Sequence, residues 1–413
     1  MKKLTKKFLC IVVSFSFLIN LSYSRAFAKS SNISDLKSEI LNLIQCNNFS
    51  SEQEIIKLTI EKILDAKCKT EYGISDYNFS ELLAYENDNS NFRNLNFWEE
   101  YIKFQHDFRV ALKLQIENLS AVYTYDKFDL ENDIAKVTIS QELTFNSVGI
   151  KGCTKEKNTY SFTLKKKDNL WKIKEFSSSD LYFEMYYPKT LQRSFSFEQL
   201  TQDYITPQEE IEANFLSDTF NAVDAGLYKV DELNVYNYAV MFALDYNTGF
   251  PTYPGVDCQN FASQCLWFGF NCELFKPESI SRFAFDNSGK YKWYCKNENE
   301  VTHSWISCSN FRNYLKNNTN SNEYGLHGIV YDKMTSSSLS SAKCGDIVYT
   351  NDGGHAMSIT NAPFPQLGDT RTRNVNTLCV SAHTNNVRNK QLALICGNNL
   401  SSCMLAHITG FKR

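Results

Sequence analysis

The stretch that decides the fold is Tyr236–Gly269, YNYAVMFALDYNTGFPTYPGVDCQNFASQCLWFG. Asn247 to Gly255 within it is dense in turn formers, so no helix runs through that part. Beyond it Phe261, Cys265 and Phe268 recur at helical spacing, Ser263 and Gln264 fall off the stripe, and Gly269 supplies a stop. Cys258 therefore stands in the first turn of a helix, with Asp257 before it as the expected cap. Unpaired backbone N–H groups and the helix dipole at that end favour an anion, which lowers a thiol's pKa and makes it nucleophilic. The plainer reading is an ordinary buried thiol, since Cys265 and Cys272 follow at intervals of seven and look like core residues.

What lies a hundred residues on favours chemistry. Cys344-Gly-Asp-Ile-Val-Tyr349 reads as a strand entered through a Gly-Asp turn, and Asn351-Asp-Gly-Gly354 as a hairpin turn. His355 opens the next strand, to Thr360, and Leu378–Thr384 is another strand that ends in His383. A last strand runs from Met404 to Ile408. Thiol attack on an amide needs a thiolate, an imidazole to hold the ion pair and protonate the leaving amine, and a polar group to orient that imidazole. Cys258, His355 and His383 supply these in chain order, with Asn385 or Asn386 as the alternative third member. The plainer readings are a turn-capping His355 and an exposed strand-end His383. The backbone N–H of Cys258 is the first oxyanion donor, and Tyr253, Asn260 and Trp305 are the candidates for further oxyanion or substrate contacts. The remaining histidines His303, His327 and His407 sit in no comparable arrangement.

Residues 236–413 resemble the putative amidase domain family, a papain-like branch related to CHAP and other cell-wall cysteine amidases. The matching stretches are Tyr236-Asn-Tyr-Ala239, Asp257-Cys-Gln-Asn-Phe-Ala-Ser-Gln264, Ser304-Trp305, Gly345-Asp346-Ile-Val, Gly354-His355 and Ala382-His-Thr-Asn385. The resemblance implies a papain-like α+β fold with Cys258 as nucleophile, His355 as base and His383 as the orienting member. Gln259 stands where the family commonly has Thr, and Phe270 where a second Gly often follows Gly269. The segment Asn361–Asn376 is extra. The resemblance further implies a cysteine-dependent amidase or endopeptidase, with peptidoglycan peptide as the leading substrate. A non-catalytic binding module on the same fold, or an effector that deamidates or crosslinks protein glutamine, are the alternatives.

The rest of the chain bounds this reading. With 413 residues, two domains are expected. Lys2, Lys3, Lys6 and Lys7, an apolar run from Phe8 to about Leu21 and Arg25-Ala-Phe-Ala28 describe a secretory signal peptide over 1–28. The mature protein is then expected to be exported, with no lasting membrane insertion. Without the five basic residues of 1–28, 38 basic side chains face 46 acidic ones, a balance of −8 that argues against nucleic acid as partner. Twelve of the thirteen cysteines follow the signal, no CxxC pair occurs, and no Cys/His spacing suggests zinc, so neither metal nor cofactor is expected.

Helical stripes occupy 31 to about 115: Ile56, Ile60, Ile63 and Leu64, then Phe97, Tyr101, Phe104, Phe108 and Leu112. The period then switches to two around Val137–Phe145, Tyr160–Leu164 and Trp171–Ile173, with a turn at Asp168-Asn169. Residues about 50–180 resemble a nuclear-transport-factor-like cone. The expected domains are thus an accessory α+β cone over 29–192, a helical linker over 193–233 with a helix starting near Pro207, and the papain-like domain over 234–413. Oligomeric state is not legible.

Overall fold

Three helices open the fold, and their ends carry the expected signals. Asp35 accepts from Ser38 N ahead of α1 (Leu36–Cys46), and Ser51 accepts from Glu54 N ahead of α2 (Glu52–Glu71). α2 buries Ile56, Ile60, Ile63 and Leu64, and α3 (Asn89–Ala111) buries Phe97, Tyr101, Phe104 and Phe108. The computed structural model describes residues 35–85, 89–150, 152–191, 195–206, 227–270, 292–320, 323–350, 353–361, 375–384 and 386–412. The signal segment, the helix expected from Pro207, nearly all of Asn361–Asn376, and Asn385 lie outside them.

Four antiparallel strands follow: β1 (Ile116–Glu131), β2 (Ile134–Ser147), β3 (Thr154–Lys167) and β4 (Leu170–Ser178). Asp168 and Asn169 both take positive φ, 54° and 59°, as a type I′ hairpin turn between β3 and β4 requires. The sequence reading did not single out β1. It is an edge strand exposed or half-buried along its length, so it lacks the inside–outside contrast that marks β2 and β3. Trp98 and Phe176 meet edge to face at 4.4 Å, fixing α3 on this sheet.

The second half sets α6 (Glu232–Phe242) and α7 (Cys258–Gly269) against strands β8 (Ile347–Thr350), β9 (His355–Asn361), β10 (Cys379–Ala382) and β11 (Val387–Gln391). The intervening elements are β5 (Cys295–Asn297), β6 (Glu300–Val301), α8 (His303–Ile306), α9 (Cys308–Asn317) and β7 (Gly325–Tyr331). β5 and β6 pair only with each other; with the closing β12 (Met404–Lys412) the other ten strands join one antiparallel sheet in the order β1-β2-β3-β11-β10-β9-β8-β12-β7, with β4 on β3. The α+β class is as expected. No helix of the described residues is long and apolar enough to cross a membrane.

The sheet does not stop between the halves. β3 pairs with β4 along Tyr160–Lys167 and with β11 at Lys155 and Glu156 along the rest of the same edge. Lys157 N donates to Asn386 O at 2.9 Å, Thr154 Oγ1 to Asn389 O at 2.9 Å, and the buried Lys390 Nζ meets Glu156 Oε1 at 2.9 Å. The expected linker is also divided. α5 (Phe197–Ile205) buries Phe197 and Tyr204 against Phe104, and Asn398 N donates to Tyr204 O. Tyr228 already belongs to the second half, exchanging backbone hydrogen bonds with Phe411, and Asp231 caps α6. Tyr228 and Asp231, within the stretch expected as linker, are thus tied to the second half.

Candidate active site

α7 is buried on every side, so each polar side chain on it must find a partner. Tyr349 Oη donates to Gln259 Oε1 at 2.8 Å, and Ser263 Oγ donates to Trp305 O at 2.8 Å. Asn260 Nδ2 donates to Pro251 O (2.9 Å) and Asp257 Oδ1 (2.8 Å), while its Oδ1 accepts from Trp305 Nε1 at 2.8 Å. Asn260 and Trp305, the expected substrate contacts, are each 0 % exposed and spend these groups inside the protein. Their work is to hold α7. At the far end Gly269 lets α6 approach, since a Cβ there would stand 2.6 Å from Val235 Cγ2.

Cys258 opens the helix as expected, but Asp257 does not cap it with its side chain. The carboxylate, wholly buried, turns back: Oδ1 accepts from Tyr253 N at 2.9 Å and Oδ2 from His383 Nδ1 at 2.6 Å. His383 Nε2 reaches Phe242 O at 2.6 Å, and its ring stacks on Phe261 with centroids 4.1 Å apart. Both ring nitrogens of His383 are thus engaged, by Asp257 and by the Phe242 carbonyl, and its contact with the site runs through Asp257.

His355 stands at the start of β9, near enough to Cys258 for its imidazole to help lower the thiol's pKa. Its Nε2 is buried with no hydrogen-bond partner among the described residues. Asn386 gives its carbonyl to Lys157 instead, and Asn385 lies outside the described residues. His355 helps line a cavity of about 40 Å³ at the seam between the halves, together with Gln105, Arg109, Glu156 and Lys390. That volume is large enough to admit a water. Tyr253 spends its N–H on Asp257, and its hydroxyl is buried without a partner.

One residue of the site went unread in the sequence. Cys308 opens α9, and its Sγ lies 3.8 Å from Cys258 Sγ. The Cys308 S–H also points to Gly354 O at 3.6 Å, and a carbonyl oxygen accepts only while that thiol keeps its proton. The Cys308 thiol beside it, then His355 and the Ala356 N–H, hold Cys258 well below the usual thiol range, against burial that pushes it up. Cys308 is correspondingly pushed up by its bond to Cys258. Arg312, one turn on, donates to Gly353 O at 2.7 Å and lies over the Tyr349 ring at 4.6 Å. Gly353 is required there, because its φ is +84° and a Cβ would fall 2.3 Å from the guanidinium. That contact fixes the turn that delivers His355.

A polarised thiol at a helix start, with an imidazole beside it and first-turn N–H groups around it, is equipped for nucleophilic attack on a carbonyl. No cluster of three His, Cys, Asp or Glu side chains among the described residues is arranged to hold a metal ion. No curated protein and no solved structure matches the chain. The segment that carries all of these groups, residues 229–406, matches the family model described as Putative amidase domain, which supports an amidase-type function.

Proposed function

We propose that this chain is a cysteine-dependent amide hydrolase, with Cys258 as nucleophile and His355 as the proton carrier. The observation that supports it best is the lowered Cys258 thiol at the start of a buried helix, in reach of an imidazole. In the proposed cycle the thiolate adds to the amide carbon and the oxyanion draws on the Cys258 N–H. His355 then protonates the leaving amine, and later takes a proton from the water that opens the thioester. His383 acts at one remove, as a positioning residue: through Asp257 it holds the turn that presents Cys258. The order helix-borne Cys, strand-borne His is that of a papain-like hydrolase, and the helix-and-sheet half before it fits a cone-like accessory unit. The preferred substrate is an amide of an extracellular polymer, peptidoglycan first, with the protein exported by residues 1–28.

The test is to incubate the protein with purified cell-wall sacculi and identify products by mass spectrometry, beside Cys258→Ala. New amines and carboxylates that appear with the wild type and not with the variant are the expected result. Conversion of protein glutamine to glutamate, with sacculi untouched, would move the substrate to a protein side chain. Unchanged hydrolysis by Cys258→Ala would end the thiol reading.

A further inference from the structure

The site holds a second thiol, which supports the Cys258 thiolate but takes no covalent part in the hydrolytic cycle. Cys258 and Cys308 open two separate helices, and their sulfurs come to 3.8 Å at the point where those helices converge. Cys258 is 6 % exposed, whereas Cys308 is half-buried and forms the side of the pair that solvent reaches. The molecule contains a natural comparison in Cys396 and Cys403, two free thiols that also perturb one another but are both 1 % exposed.

We propose that Cys308 is the resolving thiol of the nucleophile, so that oxidation closes the site as a Cys258–Cys308 disulfide. The proposal rests on Cys258 being the reactive thiolate of the preceding reading. The co-reactant is a hydroperoxide. Cys258 sulfur attacks its terminal oxygen, the O–O bond breaks, and Cys258 becomes a sulfenic acid as hydroxide or alkoxide leaves. Cys308 sulfur then attacks Cys258 sulfur, the S–OH bond breaks, and the hydroxyl departs as water with the Cys308 proton. The two thiols lose two electrons and the peroxide gains them. The sulfurs must close from 3.8 Å to the ~2.05 Å of a disulfide, a shift that side-chain rotation and movement of the α9 start share. A low-pKa thiolate with a thiol in van der Waals contact is the arrangement that diverts a sulfenic acid to a reversible disulfide before it passes to sulfinic acid. A dithiol reductant reopens it by exchange.

The test uses the full chain, reduced and then exposed to hydrogen peroxide, alkylated, digested without reduction and mapped by mass spectrometry. The expected result is a cross-linked peptide joining Cys258 to Cys308, hydrolysis lost in parallel, and both reversed by dithiothreitol. In Cys308→Ser the same dose should carry Cys258 to sulfinic and sulfonic acids, with less than about a tenth of activity recovered by reductant. Cys308→Ala, checked for native circular dichroism, is run beside it so that a folding defect of one variant does not decide the matter. Cys258 overoxidised in the wild type without a cross-link, Cys258 joined to a different cysteine, or either Cys308 variant recovering as fully as wild type would overturn the proposal. The cross-link is read by mass irrespective of turnover. A cross-link with hydrolysis intact in Cys258→Ala would sink the functional reading alone, and no cross-link with Cys258→Ala dead would sink this one alone.

Discussion

Two clusters of buried polar side chains meet at His355, and they are built on opposite terms. At the seam between the halves two buried lysines each face a carboxylate. Lys67 Nζ meets Glu71 Oε1 at 2.6 Å, Lys390 meets Glu156 at 2.9 Å, and Tyr72 Oη donates to Glu156 at 3.2 Å. Arg109 lies over the Tyr72 ring at 4.2 Å and donates to Glu71 O. Burial works against the Lys67 charge, yet the Glu71 carboxylate holds its pKa well above the usual value. At the site no carboxylate touches the thiol. Hydrogen bonds and an imidazole hold the Cys258 pKa well below the usual thiol range, and His355 keeps one buried nitrogen without a partner among the described residues. Buried polarity alone therefore marks nothing. A balanced cluster fixes how two parts fit, and an unbalanced one leaves a group able to change its state.

Breaking the two clusters should fail in different ways. The largest effect belongs to His355→Ala, which removes the proton carrier and one support of the thiolate. Turnover should fall roughly a thousandfold or more, about 4 kcal/mol of transition-state stabilisation. The urea midpoint should move little, because the Cys258 thiol can take up a proton once the imidazole is gone. Steady-state kinetics beside urea melts check both halves of that statement. A variant that unfolds early while the folded fraction stays active would place His355 among the structural groups.

Glu156→Gln should show the reverse pattern. It leaves the Lys390 ammonium, 8 % exposed, against a neutral amide, and removing one partner of a buried pair costs about 3–5 kcal/mol. The same residue sits in the register that joins β3 to β11, so the halves should loosen together. Hydrolysis per folded molecule should stay near wild type. Two separate unfolding transitions in the wild type would show that the halves are independent despite the shared sheet; a single transition that drops as a unit in the variant is expected.

The contrast also explains what the sequence disclosed. Helix stripes such as Phe97–Phe108 and alternations such as Val137–Phe145 repeat within one element, and such periods survive in the order of residues. Cys258 and His355 were legible because a thiol after a turn and a histidine after Gly353-Gly354 are local signals. Cys308 was not, although it too opens a helix after a serine, because nothing between Trp305 and Asn310 says which distant sulfur it meets. Asp257 was read as a cap, its usual role beside a helix, and the fold turned it to His383, 126 positions away. Asp346 behaves alike: expected only in a turn, it accepts from His407 Nδ1 at 2.7 Å. The seam was wholly hidden, since nothing in the order of residues marks Lys67, Arg109, Glu156 and Lys390 until β11 is laid against β3.

The finest test of the contrast is the pH dependence of alkylation, which compares Cys258 with thiols that burial alone controls. An ordinary thiol of pKa about 8.5 gains roughly fifteenfold in thiolate between pH 7 and 8.5, and its labelling rate rises with it. Cys68 and Cys295 are each pushed up to about 12 by burial, so iodoacetamide should scarcely touch them in the folded protein over that range. Cys258 is shifted the other way. A lowered pKa keeps the thiolate to lower pH than in an ordinary thiol, and it is lost as pH falls through the lowered value. Its labelling should therefore be nearly flat from pH 7 to 8.5 and decline on the acid side. Cys308→Ala removes the strongest of the hydrogen bonds that hold the thiolate, so the decline should begin at higher pH, with His355 still in place to keep some of the shift. Labelling is followed residue by residue by mass spectrometry. If Cys258 climbs about fifteenfold like an ordinary thiol, the site is no more poised than the seam, and the distinction between the two clusters fails at its chemical end.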